Sequence, residues 1–580
     1  MNKIFFIADA FLHDGYYGGA ERCDECLIEE LLMSEYNDFR KSAVVCINCV
    51  QLEPEFIEQN SNSLFIIANF ITLSEENKRI LIKSEIKYII IEHDHKYLKS
   101  NNPVLYTNYL ANEDEIQNVA FYKNAYAVIC QSSLHAETVY KNMLLDNIVN
   151  LRGNLWTEGD LNTLETYEYR LRGLGATSVP RLRPYQWGVL NSTNPNKGVP
   201  ETLEYIRSNK IDLDKITYLP KTPVFADFVK DGLSQVDGVM FFPTWMETFN
   251  RFVVEARALN CKIKTNERLG CISDGYLQLR GSALIQRMRQ AKQEIFKTYE
   301  KMIENVPVEK FKISLPRISI ITTFIDAEEY IEEFLQHIIG QTIFDEIDLI
   351  IYDAGSTSAE QKIISRYLDI HKNIHYIRNE EHIGSSEAFN KMIAVSKNEL
   401  ISQVMMDDRP TPDYAEKLRK HLFFGDADLV YGDCVTTNKK NDRITSEFYT
   451  TDSVYEHSKK EFSPENMIKC LPGPMPMFKK EMVTRSGGFN ITYKHANDWE
   501  LWLRCVREGA TFRKVKQRLG LYYINPDGVT TSAKTFKSKI REENKIFNEY
   551  KDVLGEKNYN LYNEYFGQFE PSQHLKEETK

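Results

Sequence analysis

The sequence predicts an α/β protein in which helices cover parallel sheets. Short apolar runs that end in polar or turn residues alternate with stretches whose apolar residues recur at helical spacing, and this alternation begins near residue 4 and continues past residue 500. With 580 residues the chain is too long for one core, so the pattern must be shared among about three or four folding units.

The first series of runs is "NKIFFIAD", "SAVVCINC", "SLFIIANF", "IKYIIIEHD" and "AYAVICQSS", read as the strands of a lobe over residues 1–184. The opening "MNKIFFIADAFLHDGYYGG" resembles a signal peptide only briefly, because Asp9 interrupts the apolar run and a Gly-rich turn follows. A second series, "YQWGVLNS", "DKITYLP", "VDGVMFFPT" and "CKIKTNE", places another lobe at 185–280. Over 281–316, Leu284, Ile285, Met288, Ala291, Ile295, Tyr299 and Met302 recur at helical spacing before the polar "PVEKFKISLPR", which predicts a helical linker. A third series begins at 317 with "RISIITTFI", "IDLIIYDAGST", "NIHYIRNEEHIG", the helical "SSEAFNKMIAVSK" and "LISQVMMDD". It defines a domain over 317–565, with a polar tail at 566–580. Ligands of such sheets gather beyond the carboxyl ends of the strands.

Composition narrows the function classes. With 42% hydrophobic and 27% charged residues the chain reads as an ordinary soluble globular protein. A formal charge of -11 argues against binding nucleic acid through its phosphates in general. No apolar run approaches the roughly 18 residues of a membrane span. Ten cysteines in so long a chain do not make a disulfide framework and point to a reducing compartment, the cytoplasm. "CDEC" (Cys23, Cys26) and "CINC" (Cys46, Cys49) have a zinc-like interval. Residues three apart on a strand face opposite sides, so buried free thiols are the favoured reading over a zinc site.

"VMMDDRPTP" places Asp407 and Asp408 together at the end of a strand-like run. Adjacent carboxylates repel, so the pair is either solvated in a loop or neutralised by a cation.

Residues 317–530 resemble a family-2 glycosyltransferase of GT-A fold in the order of their motifs: "YDAGST", "NEEHIGSSEAFNKMI", the carboxylate pair, "GGFNITYKHANDWELWLR" and "GLYYINPDGVTT". The resemblance implies a nucleotide-sugar donor and Mn2+ or Mg2+ held by Asp407 and Asp408, with Met405 standing at the family's usual first acidic position. It implies that Asp498 is the base for the acceptor hydroxyl, where a helix cap is the structural alternative. It further implies that Asp353 contacts the nucleobase or ribose, with Ala354 replacing a frequent second Asp, and that Asp326 stands at a donor-binding position where Asn is common.

The first 310 residues resemble the family-4 glycosyltransferases of GT-B fold. "GYYGGAER" matches a glycine loop in which Gly18 and Gly19 let backbone approach a diphosphate. "FFPTWMETFNRFVVEARALNCKIKTN" carries Glu247 and Glu255 at the E-x7-E interval, which by resemblance lie near the donor sugar and on the ribose. Lys197 in "NPNKG" matches the lysine that neutralises the diphosphate, although an arginine usual in the preceding strand is missing from "WGVLNS". His93 in "IEHDHKYL" matches an active-site histidine better than His95, and the His-Asp-His cluster also suits a lone metal site.

The expectation is therefore a GT-B-like pair of Rossmann-like lobes followed by a GT-A domain, with two modules moving sugars from nucleotide donors to a glycan or other hydroxyl acceptor. The C-terminal module would be inverting and metal-dependent. Three alternatives stay open: one active GT-A module with a non-catalytic N-terminal binding module, a nucleic-acid base glycosyltransferase in which nucleic acid is only the acceptor, and a non-catalytic sugar-binding protein.

Overall fold

A computed structural model describes residues 3–12, 15, 18–33, 44–172, 183–356, 360–455 and 459–560. The tail at 566–580, Tyr16 and Tyr17 of the glycine loop and Thr357 of "YDAGST" lie outside the described residues. The chain divides into two compact units, one of Met1–Ala111 with Glu115–Ile313 and one of Asn112–Asp114 with Ser314–Lys580.

Among the described residues the first unit holds two sheets. Strands β1 (Ile4–Ala8), β2 (Val44–Asn48), β3 (Leu64–Ile67), β4 (Tyr88–Ile91), β5 (Ala127–Cys130) and β6 (Ile148–Asn150) form a sheet in the order β2-β1-β3-β4-β5-β6. All of its pairings are parallel. Every residue of β1, β3, β4 and β5 is buried, as expected where helices cover both faces. Strands β7 (Tyr185–Val189), β8 (Ile216–Tyr218), β9 (Val236–Phe241) and β10 (Lys262–Thr265) form a smaller parallel sheet in the order β10-β9-β7-β8.

The stretch expected to be a helical linker is packed differently. Gly281–Ile303 is a helix of 23 residues, and the first unit runs on to Ile313. Leu284, Ile285, Met288 and Ala291 share a core with β9 residues, whereas Ile295, Tyr299 and Met302 share one with β1, β3 and β4. The helix therefore runs from one lobe's core into the other's. A stripe of apolar residues specifies an amphipathic helix but not the surface that covers it.

The second unit is built on β11 (Ile318–Phe324), β12 (Ile347–Asp353), β13 (Ile374–Arg378), β14 (Leu400–Gln403), β15 (Arg409–Pro410), β16 (Leu429–Thr437), β17 (Met477–Lys479) and β18 (Phe512–Tyr523), in the order β13-β12-β11-β14-β17-β16-β18-β15. The first four neighbours run parallel. β17 is antiparallel to both β14 and β16. Along β12, Ile350 and Tyr352 enter one core and Ile347, Leu349 and Ile351 the other, so the sheet is sandwiched between two helical layers. The strand order reverses at β11, which has β12 on one side and β14 on the other. The crevice beyond such a switch point is where α/β sheets bind ligands, and β11, β12 and β14 end next to Asp326, Asp353 and the Asp407–Asp408 turn.

Candidate functional site

In the second unit, Asp353 is fully buried at the end of β12. Its Oδ1 accepts the backbone N–H groups of Gly355 (3.1 Å) and Ser356 (2.8 Å), and its Oδ2 accepts the Tyr376 hydroxyl at 2.7 Å. Burial opposes ionisation, but these donors outweigh it and hold the carboxyl below the ordinary range. Gly355 has φ +104°, and a side chain there would meet the backbone of Glu381 and His382. Asp326 follows β11 in the left-handed region, at φ 45°, and its N–H donates to Ser356 Oγ at 3.0 Å. Asp326 and Asp353 are thus joined through one loop at the strand ends.

The two neighbouring aspartates have different surroundings. Asp407 is half-buried, and its Oδ2 accepts Asn525 Nδ2 at 3.1 Å. Asp408 is turned inward with 1% exposure; its Oδ1 accepts the N–H of Tyr523 at 3.3 Å and its Oδ2 is buried without a partner. Burial first, and then the charge of Asp407, push the Asp408 carboxyl well above the usual range. Arg409 is buried beneath the turn, where Nη1 donates to the carbonyls of Met406 and Asp408 (2.8 Å each) and Nη2 to Asn441 Oδ1 at 2.6 Å. The pairing of β15 with β18 pins the turn from the other side, with Arg409 opposite Leu521.

These residues fit a divalent cation in a limited way. Among the described residues no group of three or more His, Cys, Asp or Glu side chains gathers as a metal cage. Asp407 presents one partly exposed carboxylate, and Mg2+-type sites use one or two carboxylates with the remaining ligands from substrate phosphates and water.

Asp498 lies in the first turn of the helix Asn497–Arg507. Its Oδ1 accepts the N–H of Trp499 at 2.8 Å and its Oδ2 accepts the Cys470 thiol at 3.3 Å. The N-cap position is held by Ala496, not Asp498. Burial raises the Asp498 carboxyl above its ordinary range, against the opposing effect of these hydrogen bonds and of Lys539. Asn497 donates to Ser386 Oγ at 2.7 Å, which fixes the helix start against the helix Ser385–Val395. The Tyr522 hydroxyl is raised by burial and then by the charges of Asp408, Asp407 and Asp498. One side chain therefore lies within electrostatic reach of both the carboxylate turn and Asp498.

In the first unit, Lys197 Nζ is 2.7 Å from Glu247 Oε1, and Asn250 Nδ2 donates to Glu247 Oε2 at 3.1 Å. Although burial alone would lower it, Glu247 raises the Lys197 ammonium above its usual value, and Asp94 and Glu21 add to this. His93 is buried between Asp24 Oδ1 and Gln131 Nε2, at 2.9 Å from each. Burial opposes its protonation, but Asp24 outweighs this and the imidazole is shifted upward. Thr248 Oγ1 donates to the carbonyl of His93 (3.2 Å) and to Gln131 Oε1 (3.0 Å), which brings the Glu247 segment to the end of β4. Gly18 and Gly19 open the helix Gly19–Met33, and the Glu21 carboxylate folds back over Gly18. Glu255 is 5% exposed and belongs to a buried network in which its Oε1 meets Trp156 Nε1 at 3.0 Å and Arg251 Nε at 3.2 Å. Arg251 continues to Asp160 at 3.1 Å.

Sequence reading did not single out Arg409, Asn525, Cys470 or Arg251 for these contacts. Arg409 and Asn525 stood inside quoted motifs, and Arg251 stood between the two glutamates. Cys470 lies 28 positions from its partner and carried no signal. All ten cysteines are free, and burial raises the Cys23, Cys26 and Cys49 thiols. Among the described residues no helix is long and apolar enough to cross a membrane.

Comparison with known proteins finds relatives of part of this chain. Residues 319–486 match the family described as Glycosyl transferase family 2. The chain is 25% identical over 211 residues to an uncharacterized glycosyltransferase of Methanocaldococcus jannaschii, covering 36% of this chain and 71% of the relative. It is 25% identical over 204 residues to the O-antigen biosynthesis glycosyltransferase WbnJ of Escherichia coli, covering 34% and 75%. It is 30% identical over 115 residues to the glycosyltransferase GlyG of Streptococcus pneumoniae, covering 20% of this chain and 38% of that one. Among solved structures, S. aureus TarS 1-349 is similar with a TM-score of 0.34 at 14% identity, over 44% of this chain and 73% of that one. Residues 319–486 carry a family 2 glycosyltransferase domain, and the chain is a glycosyltransferase.

Proposed function

We propose that the second unit transfers a sugar from a nucleotide-sugar donor to a hydroxyl of a glycan or other acceptor, by a single inverting displacement. The relative named for O-antigen biosynthesis supports a polysaccharide as the product. The observation that carries the reading is the gathering of acidic groups near Tyr522, whose hydroxyl feels the charges of Asp408, Asp407 and Asp498: Asp407 and Asp498 are both half-buried, and desolvation shifts Asp498 upward. Asp407 would hold Mn2+ or Mg2+, with Asn525 orienting its carboxylate and Asp408 and Arg409 fixing the turn beneath. When bound, such a cation neutralises charge on the leaving diphosphate. Asp498 accepts the proton of the acceptor hydroxyl, and a carboxyl shifted toward the working pH is a stronger base. One base and attack from the face opposite the leaving group give inversion. Asp353 and Asp326 shape the loop that receives the nucleoside. Screening release of UDP or GDP from a panel of nucleotide sugars, with Mn2+ or Mg2+ and with chelator, tests this reading. Full turnover in excess chelator would overturn the cation's role.

For the first unit we propose a second donor site, of GT-B type. Its support is the two parallel sheets bridged by the helix Gly281–Ile303 and the Lys197–Glu247 ion pair beside the His93 segment. Lys197 would leave Glu247 for a diphosphate, Gly18 and Gly19 would admit it at a helix N-terminus, and Glu255 would serve the ribose. Two observations favour the alternative of a non-catalytic binding module: Glu21 already lies over Gly18, and Arg251 already engages Glu255. Calorimetric titration of UDP- and GDP-sugars into the full chain, with Asp407→Ala blocking the second unit, separates the two.

A further inference from the structure

Ala496 holds the N-cap position of the base-bearing helix without a side-chain hydrogen bond, and inside the first turn Asn497 and Asp498 accept the N–H groups of Asp498 and Trp499. The backbone donors of the loop before Asn497 need an acceptor from elsewhere. Glu542 supplies it. Its carboxylate accepts the N–H of Lys494 at 2.9 and 3.1 Å, that of His495 at 2.7 Å and that of Ala496 at 3.3 Å. Glu542 lies in the helix Phe536–Glu549, beyond the residues matched to the family. The same helix holds the loop at further points: Tyr493 donates to Glu549 Oε2 at 3.1 Å, Ser538 Oγ meets His495 Nε2 at 2.9 Å, and Lys545 lies over the Tyr493 ring at 4.7 Å.

We propose that Glu542 is a positioning residue for Asp498, keeping the catalytic carboxylate directed at the acceptor by satisfying the backbone donors that precede it. This rests on the reading of Asp498 as the base. Three successive N–H groups just before a helix form a concavity that attracts the nearest anion. Without Glu542, Asp498 is the first acidic side chain of that helix and the nearest one in sequence to those donors. Its carboxylate, whose Oδ1 now accepts the N–H of Trp499, would turn back to them and leave the acceptor. The Glu542 carboxylate thus competes successfully for a role that would otherwise divert the base.

The test measures nucleoside-diphosphate release from whichever of UDP-glucose, UDP-N-acetylglucosamine and GDP-mannose the full chain turns over fastest, with water as acceptor. Glu542→Ala should lower kcat by about 10²-fold, the scale of a small misplacement of a reacting group, while the donor KM stays unchanged. Added formate should restore part of the lost kcat, because it supplies a carboxylate to the same three donors. Glu542→Gln, whose amide oxygen still accepts, should retain more activity than Glu542→Ala. A folded Glu542→Ala with normal kcat, or one whose loss is insensitive to formate and accompanied by a raised donor KM, would overturn the proposal. If Glu542→Ala does not fold, Glu542→Gln decides: reduced kcat at unchanged melting temperature and donor KM supports the role, and unchanged kcat overturns it. Asp498→Asn in parallel separates the two readings. Near-normal activity in Asp498→Asn overturns the base itself, whereas an inactive Asp498→Asn beside a normal Glu542→Ala overturns only the positioning role.

Discussion

Asn525 donates its side-chain N–H to Asp407 Oδ2 at 3.1 Å, joining the segment that follows β18 to the turn that follows β14. The contact leaves Asp407 half-buried while its neighbour Asp408 is enclosed. Asp407→Ala should abolish turnover stimulated by Mn2+ or Mg2+. Asn525→Ala should raise the cation concentration needed for half-maximal activity by about 10- to 100-fold, the usual effect of losing a group that orients a metal-binding carboxylate. Metal titrations of initial rate on both variants check this, and an unaltered titration for Asn525→Ala would remove its orienting role.

Asp498→Asn should reduce transfer by about 10²- to 10⁴-fold, the range typical of a general base, while donor affinity stays nearly constant. The pH dependence follows from the same group. A base works only when deprotonated, so kcat/KM must rise with pH through its acid limb. Because burial raises Asp498 above its ordinary value, that limb should lie above the roughly pH 4 of an unperturbed carboxylate. Cys470→Ala removes a hydrogen bond that lowers the Asp498 pKa and should move the limb higher still. A limb that stays in place in Cys470→Ala would show that the thiol does not tune the base.

Lys197→Ala and Glu247→Ala should each weaken nucleotide-sugar binding at the first unit and leave the cation-dependent activity of the second unchanged. The motive is their 2.7 Å ion pair. Calorimetry in the Asp407→Ala background reads the first effect, and initial rates in otherwise unaltered protein read the second. Identical titrations for Lys197→Ala and its parent would assign any donor binding to another place.

Glu92, fully buried, is paired with Lys96 at 3.2 Å and also accepts the Tyr122 hydroxyl. Burial opposes its charge, but Lys96 and then Tyr122 outweigh this and lower the carboxyl to about 2. A depressed carboxylate contributes stability that is present above its unfolded pKa and lost as pH falls through the folded one. The first unit should therefore lose stability between about pH 4.5 and 2. Glu92→Gln leaves the buried Lys96 with only the more exposed Asp94, 3.9 Å away, so it should cost up to about 3–5 kcal/mol at neutral pH. Chemical denaturation followed by circular dichroism measures the change, and a loss under about 1 kcal/mol would indicate that Lys96 finds another partner.

Much of this protein was legible in its residues. Runs such as "KIFFIAD" and "KYIII" mark strands because buried parallel strands are apolar on both faces, and β1 and β4 lie within them. The carboxyl end of a strand also fixed where Asp353 and Asp407 had to lie, since chain direction in a parallel sheet brings strand ends to one edge.

Only the tertiary structure decided which of two adjacent aspartates faces inward, because the choice rests on β18, whose Tyr523 N–H is 115 positions away from Asp408. It decided that the stripe from Leu284 to Met302 belongs to two cores rather than to a linker, since helical periodicity specifies an apolar face without naming its partner. It also placed Glu542 on the loop before Asp498, across 46 to 48 positions of sequence. Local sequence specifies conformation and burial through nearest-neighbour geometry. Contacts between distant segments depend on how the completed sheet and its helices pack, and no local pattern records them.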